Sequence, residues 1–285
     1  MRKTAVLSMD VEDWYHLDYF DKGKCDRTVS MLDGLEAYAR ILAEYQIKSS
    51  FFVVGELVDS LGSSLADLQS VGHELGVHSH NHIRPLLQTP EVFRADIRSA
   101  IQTLRQVTGE RTLGYRAPCF SLDRERLDII REEGFVFDSS KINFSSHPLY
   151  GDLNVSGFQS QESGIYFQDS FFEFEVSTLH FLGRNIPVSG GGYLRIFPWS
   201  LMRKFLEVYL RYQQFYVLYI HPFELSQVKN PIFPQDTSLL TRARFSAGRK
   251  GVGDKLRRLI DLLLAKNFEV VTFGKLRESL LTKSS

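Results

Sequence analysis

Cysteine is nearly absent. Cys25 and Cys119 are the only two in 285 residues, and they lie far apart. A disulfide framework is therefore not expected, and a reducing compartment is the default. An excess of one charge is missing too: Lys+Arg and Asp+Glu both number 34. A net charge of zero gives no basic stripe for nucleic acid. No apolar run approaches the roughly 20 residues of a membrane helix. The N-terminus, MRKTAVLSMDVEDW, opens with two cations, but Asp10 breaks its apolar run too early for a signal-peptide core. These absences point to a soluble, cytoplasmic protein with no transmembrane segment. Peripheral membrane contact stays open, because FLEVYLRYQQFYVLYI (205–220) is rich in aromatics. The oligomeric state is open as well. There is no internal repeat and no low-complexity tract.

What is present suits a large core: 43% of residues are hydrophobic and 13% aromatic. The length fits one large α/β domain or two small ones, and a single catalytic domain over 1–285 is the reading adopted. TAVLSMD (4–10), SSFFVVG (49–55), HELGVHSH (73–80), TLGYRAPCF (112–120) and FVFDSS (135–140) read as strands. Between them, 32–46, 55–72, 90–109 and 123–134 have apolar residues at helical spacing, with a glycine break expected in the second. The third opens with Pro90 and closes with Gly109, as a helix should. Such alternation argues for a mostly parallel sheet or barrel with helices outside. Residues 141–192 break the rhythm and read as an irregular insertion, a lid-like loop system holding one strand-like piece, FFEFEVS. A helix (198–213), a strand (FYVLYIHPFE, 215–224), a surface excursion (228–253) and a last helix and strand (253–276) follow.

Residues able to do chemistry cluster at the ends of these strands, where α/β folds place their sites. His78 and His82 are four apart and share a face on a helical turn; two such imidazoles chelate a divalent ion, or simply decorate a loop. His80 points elsewhere. Asp10, Glu12 and Asp13 crowd three carboxylates into four residues. A cation relieves that repulsion, or the acids mark a helix N-terminus. One carboxylate and two histidines leave a metal open to water and substrate. His221 is a natural proton donor, though a lone histidine is as readily structural. Arg116 orients a carboxylate or sits in a surface ion pair. Cys119 has no Cys/His signature and reads as packing. In SGGGYLRIF (189–197) three glycines permit close backbone approach to a ligand or a tight turn. No Gly-Lys-Ser/Thr follows, so it is no phosphate loop. Trp14, Tyr15, Tyr193 and Trp199 stack on sugar faces or fill the core.

Taken in order, SMDVEDWYH, SSFFVVGE, GHELGVHSHNH, GYRAPCFS, FDSS, GGGYLR and YIHPFE resemble the motifs of the polysaccharide deacetylase superfamily, carbohydrate esterases with a NodB-type homology domain. The branch that looks most similar has Asp-Val-Glu-Asp as its first motif and is associated with exopolysaccharide and O-antigen biosynthesis. The resemblance runs from the first strand to YIHPFE. It implies a distorted (β/α)7 barrel with a long insertion, one divalent metal ion (zinc being the expected one) and removal of acetyl groups from an N-acetylated sugar. By motif position Asp10 is the general base, His78 and His82 hold the metal, Arg116 orients the base beside Pro118, and His221 is the general acid. Tyr219 stands where the family has leucine. The common first motif has two adjacent aspartates, so either Glu12 or Asp13 is the third ligand here. Asp138 or Glu224 orients His221. Substrate contacts are expected from Pro118, from the backbone at Cys119 or Phe120, and from Gly191, Tyr193 and Arg195, the last meeting a phosphate or carboxylate. A nucleotide- or lipid-linked sugar or surface-polysaccharide precursor is favoured over cell-wall polymer. The competing readings are another amide hydrolase on the same barrel (a deformylase or ring-opening amidase) and a non-catalytic carbohydrate-binding barrel.

Overall fold

Every second residue of the first strand points the same way. In β1 (Thr4–Val11) Ala5, Leu7, Met9 and Val11 join one apolar cluster, while Val6 joins another and shares its face with Ser8 and Asp10. The computed structural model describes residues 2–144 and 147–284. After β1 come α1 (Asp33–Glu44), β2 (Ser50–Val53), α2 (Val58–Ser70), β3 (Glu74–Val77), α3 (Pro90–Thr108), β4 (Gly114–Tyr115), α4 (Arg124–Glu132) and β5 (Phe137–Asp138). The expected signals work as read: Pro90 opens α3 and Gly109 closes it at φ +69°, and Thr89, not singled out in the sequence, caps it. Asp13 and Asp123 likewise cap the turns that follow them. The glycine break expected in α2 is absent; the helix runs through Gly62.

Residues 141–192 are more regular than their composition suggests. They hold β6 (Gln159–Glu162), β7 (Ile165–Gln168), β8 (Phe171–Phe174), β9 (Thr178–Phe181) and β10 (Arg184–Pro187). β8 is buried throughout, whereas β6 has no buried residue and carries no apolar alternation to read. Then follow α5 (Gly191–Ile196), α6 (Trp199–Tyr212), β11 (Phe215–Ile220), α7 (Pro222–Leu225), α8 (Leu239–Ser246), α9 (Val252–Ala265), β12 (Glu269–Val270) and α10 (Phe273–Ser284). Much of the aromatic stretch 205–220 is in the core: β11 is wholly buried, as are Leu206, Tyr209 and Leu210, whereas Tyr212 is exposed. Among the described residues no helix is long and apolar enough to cross a membrane.

The fold is α/β with a curled, parallel-rich sheet. Its parallel strands lie in the order β11-β1-β2-β3-β4-β5-β8, and β7 and β6 extend it antiparallel. One apolar cluster fills the space between sheet and helices. A second, rich in phenylalanine (Phe52, Phe137, Phe174, Phe215), fills the inside of the curl, where Phe273, Leu276 and Leu280 of α10 join it. Burying each such side chain contributes about 1.5–3 kcal/mol. Among the described residues no continuous ladder closes the curl. Across the seam, the Tyr219 amide donates to the Ser189 carbonyl (2.9 Å) and the Val217 amide to Ser177 Oγ (2.9 Å). Ser177 Oγ also accepts from Tyr209 Oη (2.9 Å). Ser177→Ala leaves the buried Val217 amide without its acceptor, while Tyr209 Oη keeps the Phe215 carbonyl (2.9 Å). A loss of roughly 1–3 kcal/mol is expected in urea unfolding; an unchanged midpoint would show that the seam is not held there.

Candidate metal and acid–base site

Arg116 leaves the end of β4 with no exposed surface. Its guanidinium donates to Asp10 Oδ1 (2.8 Å), Ser8 Oγ (2.7 Å), the Ser139 carbonyl (2.9 Å) and Ser139 Oγ (2.8 Å), and it lies 4.3 Å over the Phe52 ring. Asp10 is itself buried. Burial works against its charge, but Arg116, His78 and His221 prevail and hold the carboxyl below its ordinary range. Asp10 is therefore a carboxylate at neutral pH, able to take a proton. The Ser139–Lys141 turn is fixed in turn by Asp138 and Glu173, which accept the Ser140 and Lys141 amides. Asp138 faces Glu173 and Ser140, so it is not the partner of His221.

Glu12, His78 and His82 converge, with one ligand atom from each within 4.8 Å of the others. The two histidines do not sit on a helical turn, as their spacing suggested. Ser79 (φ +65°) and His82 (φ +51°) take left-handed backbone instead, and Asp96 holds the loop by accepting the His80 (2.9 Å) and Asn81 (3.3 Å) amides. His78 Nδ1 pairs with the Arg116 carbonyl (2.8 Å), which leaves Nε2 as its free lone pair. Burial pushes His78 down to about 4, and burial with Lys22 and His16 nearby pushes His82 well below its ordinary value. Both rings are thus neutral, as metal ligands must be. Glu12 Oε2 lies against His82 Nε2 and has no hydrogen-bond donor among the described residues. His221 faces the other oxygen, Oε1 (3.3 Å); Oε2, left without a donor between two neutral imidazoles, completes an N₂O donor set that suits a divalent ion of the zinc type.

Asp13, the other candidate ligand, turns away. Its Oδ1 accepts the Trp14 (2.7 Å) and Met31 (2.9 Å) amides, so it caps a turn rather than facing the histidines. Two residues that sequence reasoning passed over complete the surroundings. His16 accepts the Asp13 amide (2.9 Å) and pairs with Glu56 (2.5 Å), and Asp18 lies 3.8 Å from His82 Nδ1.

His221 follows β11, with Nε2 3.3 Å from Glu12 Oε1 and Nδ1 3.5 Å from Glu224 Oε2. Burial disfavours its protonation, but Glu224, Glu12 and Asp10 outweigh that and raise it to about 9. Glu224, not Asp138, is its carboxylate neighbour. The glycine run serves this pair: a Cβ on Gly191 would fall 1.8 Å from Glu224 Oε2. Gly191 thus makes room for Glu224, not for a ligand. Arg195 is also committed. Its Nη1 donates to the Arg244 (2.7 Å), Phe245 (3.0 Å) and Ala247 carbonyls, so no free guanidinium awaits a substrate anion there.

These groups line one end of a cavity of about 610 Å³. The rest of its wall is largely aromatic, including Tyr19, Phe120, Phe144, Tyr150, Tyr193 and Tyr219. Tyr193 therefore stands where a sugar contact was expected. Trp14 does not: it is fully buried, its Nε1 bound to the Val29 carbonyl (2.7 Å). Tyr15 is buried beside it, and Trp199 packs on the outer core. Pro118 is buried and opens the turn where Cys119 and Phe120 adopt φ of +53° and +52°. The Phe120 amide donates to the Ala117 carbonyl (2.9 Å), whereas no backbone acceptor pairs with the Cys119 amide among the described residues. The Cys119 thiol is pushed well up by burial and by Asp18, in keeping with packing rather than nucleophilic chemistry. Both cysteines are free.

Comparison with known proteins places these residues in context. A family model described as polysaccharide deacetylase matches residues 19–137, and one described as a domain of unknown function (DUF3473) matches 139–278. The first contains His78, His82 and Arg116; the second contains His221 and Glu224; Asp10 and Glu12 precede both. The peptidoglycan deacetylase of Helicobacter pylori is 20% identical over 117 residues, 41% of this chain and 40% of that protein. The chain spans well under half the length of the curated relatives it matches. A putative polysaccharide deacetylase from Mycobacterium smegmatis superposes with a TM-score of 0.64 at 15% identity, over 99% of this chain and 92% of that one. The family 4 acetyl xylan esterase of Clostridium thermocellum, solved with a cobalt ion, gives 0.52 at 13% identity over 96% and 90%. The chain is thus similar to polysaccharide deacetylases over 19–137, and the structural likeness establishes the shared fold.

The two acids differ in a measurable way. Asp13→Ala removes a cap and is expected to lower stability by roughly 0.5–2 kcal/mol, yet zinc should still raise its melting temperature. Glu12→Gln should lose that zinc-dependent rise. The reverse pattern would make Asp13 the ligand.

Proposed function

We propose that this chain is a metal-dependent N-deacetylase of the polysaccharide deacetylase superfamily, acting on an N-acetylated sugar of the exopolysaccharide or O-antigen type. The observation that carries the reading is the order of groups at the cavity floor: a carboxylate held ionised by Arg116, then the Glu12–His78–His82 trio, then a raised histidine beside Glu224. A non-catalytic barrel has no use for a proton acceptor and a proton donor on either side of a buried ligand set. A deformylase or ring-opening amidase would use the same groups on a different amide, so the choice of sugar rests on the resemblance.

Glu12, His78 and His82 would hold the ion, zinc in this reading. When bound it polarises the acyl carbonyl and lowers the pKa of water from about 15.7 to about 7. Asp10 accepts the proton of the attacking water, and Arg116 keeps it aimed and ionised. The Cys119 amide donates to the oxygen on which negative charge develops. His221, positioned by Glu224, gives its proton to the departing nitrogen as the C–N bond breaks. Water's hydroxyl ends on the acyl carbon and its proton on Asp10; acetate and an amino sugar leave. The proposed setting is cytoplasmic, with a nucleotide- or lipid-linked sugar or polysaccharide precursor as substrate.

Asp10→Asn and His221→Ala are each expected to keep the metal and lose about 10²–10⁴-fold in turnover, followed as acetate released from N-acetylated sugars. Undiminished release from either variant would remove that residue from its role.

A further inference from the structure

Two arginines line the cavity, and they are in opposite situations. Arg195 is buried and bound to three carbonyls, with Glu224 3.5 Å from its Nε. Arg244 is exposed, and among the described residues its side chain has no hydrogen bond or ion pair. Yet Arg244 is not loosely placed. Arg195 fixes its carbonyl, and the next residue, Phe245, stacks on Phe223 (centroids 4.8 Å apart, planes 12° apart). Phe223 stacks in turn on His221 (5.7 Å, 29°). The rim carrying Arg244 is thus tied to the proposed acid. Its charge reaches Tyr19, Tyr193 and His147, which places it beside the aromatic wall.

A cavity of about 610 Å³ is of the size that holds a drug-sized ligand and exceeds what one acetamido sugar fills. Its floor carries the carboxylates, its wall the aromatics, and its rim an unpaired cation. Aromatic faces take up sugar rings or other flat apolar groups, and a guanidinium without a carboxylate partner binds oxyanions in bidentate fashion. We propose that Arg244 is an anion-recognising subsite and that the substrate carries a phosphate or carboxylate group distal to its acetamide. The sugar end of this substrate rests on the deacetylase reading; the anion subsite does not.

The test uses ligands with no acetamide, so turnover plays no part. Methyl glucoside, glucose 1-phosphate and methyl glucuronide are titrated into the metal-loaded protein and into Arg244→Gln and Arg244→Lys. At least one anionic ligand should bind roughly 10- to 100-fold tighter than the neutral one. Arg244→Gln should abolish most of that gain and Arg244→Lys keep part of it. A gain for the phosphate alone assigns a phosphate-linked substrate, and a gain for the glucuronide alone a uronic acid. Equal affinities in the wild type, or a gain that survives Arg244→Gln, would overturn the proposal. If no N-acetyl sugar releases acetate while the Arg244-dependent gain persists, the deacetylase reading fails and the anion subsite stands.

Discussion

A guanidinium without contact with water is costly, by several kcal/mol if its charge is left uncompensated. Arg116 is such a group, and the floor of the site is arranged to satisfy it. Ser8 and Asp10 come from β1, Ser139 from just past β5, and the Phe52 ring from β2. One side chain thus fixes the spacing of four strands at their C-terminal ends. It also couples the two halves of the proposed chemistry. Its side chain keeps Asp10 ionised, and its own carbonyl takes His78 Nδ1, which decides the tautomer of a metal ligand. Base and ligand are set by the same residue.

Around that floor, aromatic residues do two different jobs. Inside the curl, phenylalanines fill the space within the parallel strands, and α10 adds Phe273, Leu276 and Leu280. Toward the cavity, tyrosines and phenylalanines leave room for a ligand. Close approach is achieved by removing Cβ atoms where needed: Gly190 leaves room for the Tyr219 hydroxyl and Gly191 for Glu224. The glycine run was therefore a packing device for the His221–Glu224 pair.

Much of the fold and site was legible before any coordinates. Local signals did the work where elements are amphipathic and capped, as in α3 between Pro90 and Gly109. Motif order brought Asp10, His78, His82, Arg116 and His221 to one rim. What could not be read depends on contacts between distant residues. Whether Glu12 or Asp13 turns toward the histidines is decided by the Trp14 and Met31 amides, which capture Asp13. Arg195 looked available because nothing local reveals that the 244–247 carbonyls surround it. Within 141–192 the strand-like piece FFEFEVS is β8, whereas β6 was hidden because its sequence QSQE carries no apolar alternation. α8 looked like a surface excursion, yet Thr241, Arg244 and Phe245 form part of the cavity wall.

The proposed chemistry requires one cation held by Glu12, His78 and His82. Crystals grown with zinc and measured on both sides of its absorption edge would locate that ion directly. The anomalous peak should lie about 2.0–2.2 Å from one Glu12 oxygen and one nitrogen each of His78 and His82, with Asp13 still capping its turn. A peak bound by Asp13, or no peak among these three side chains, would contradict the account.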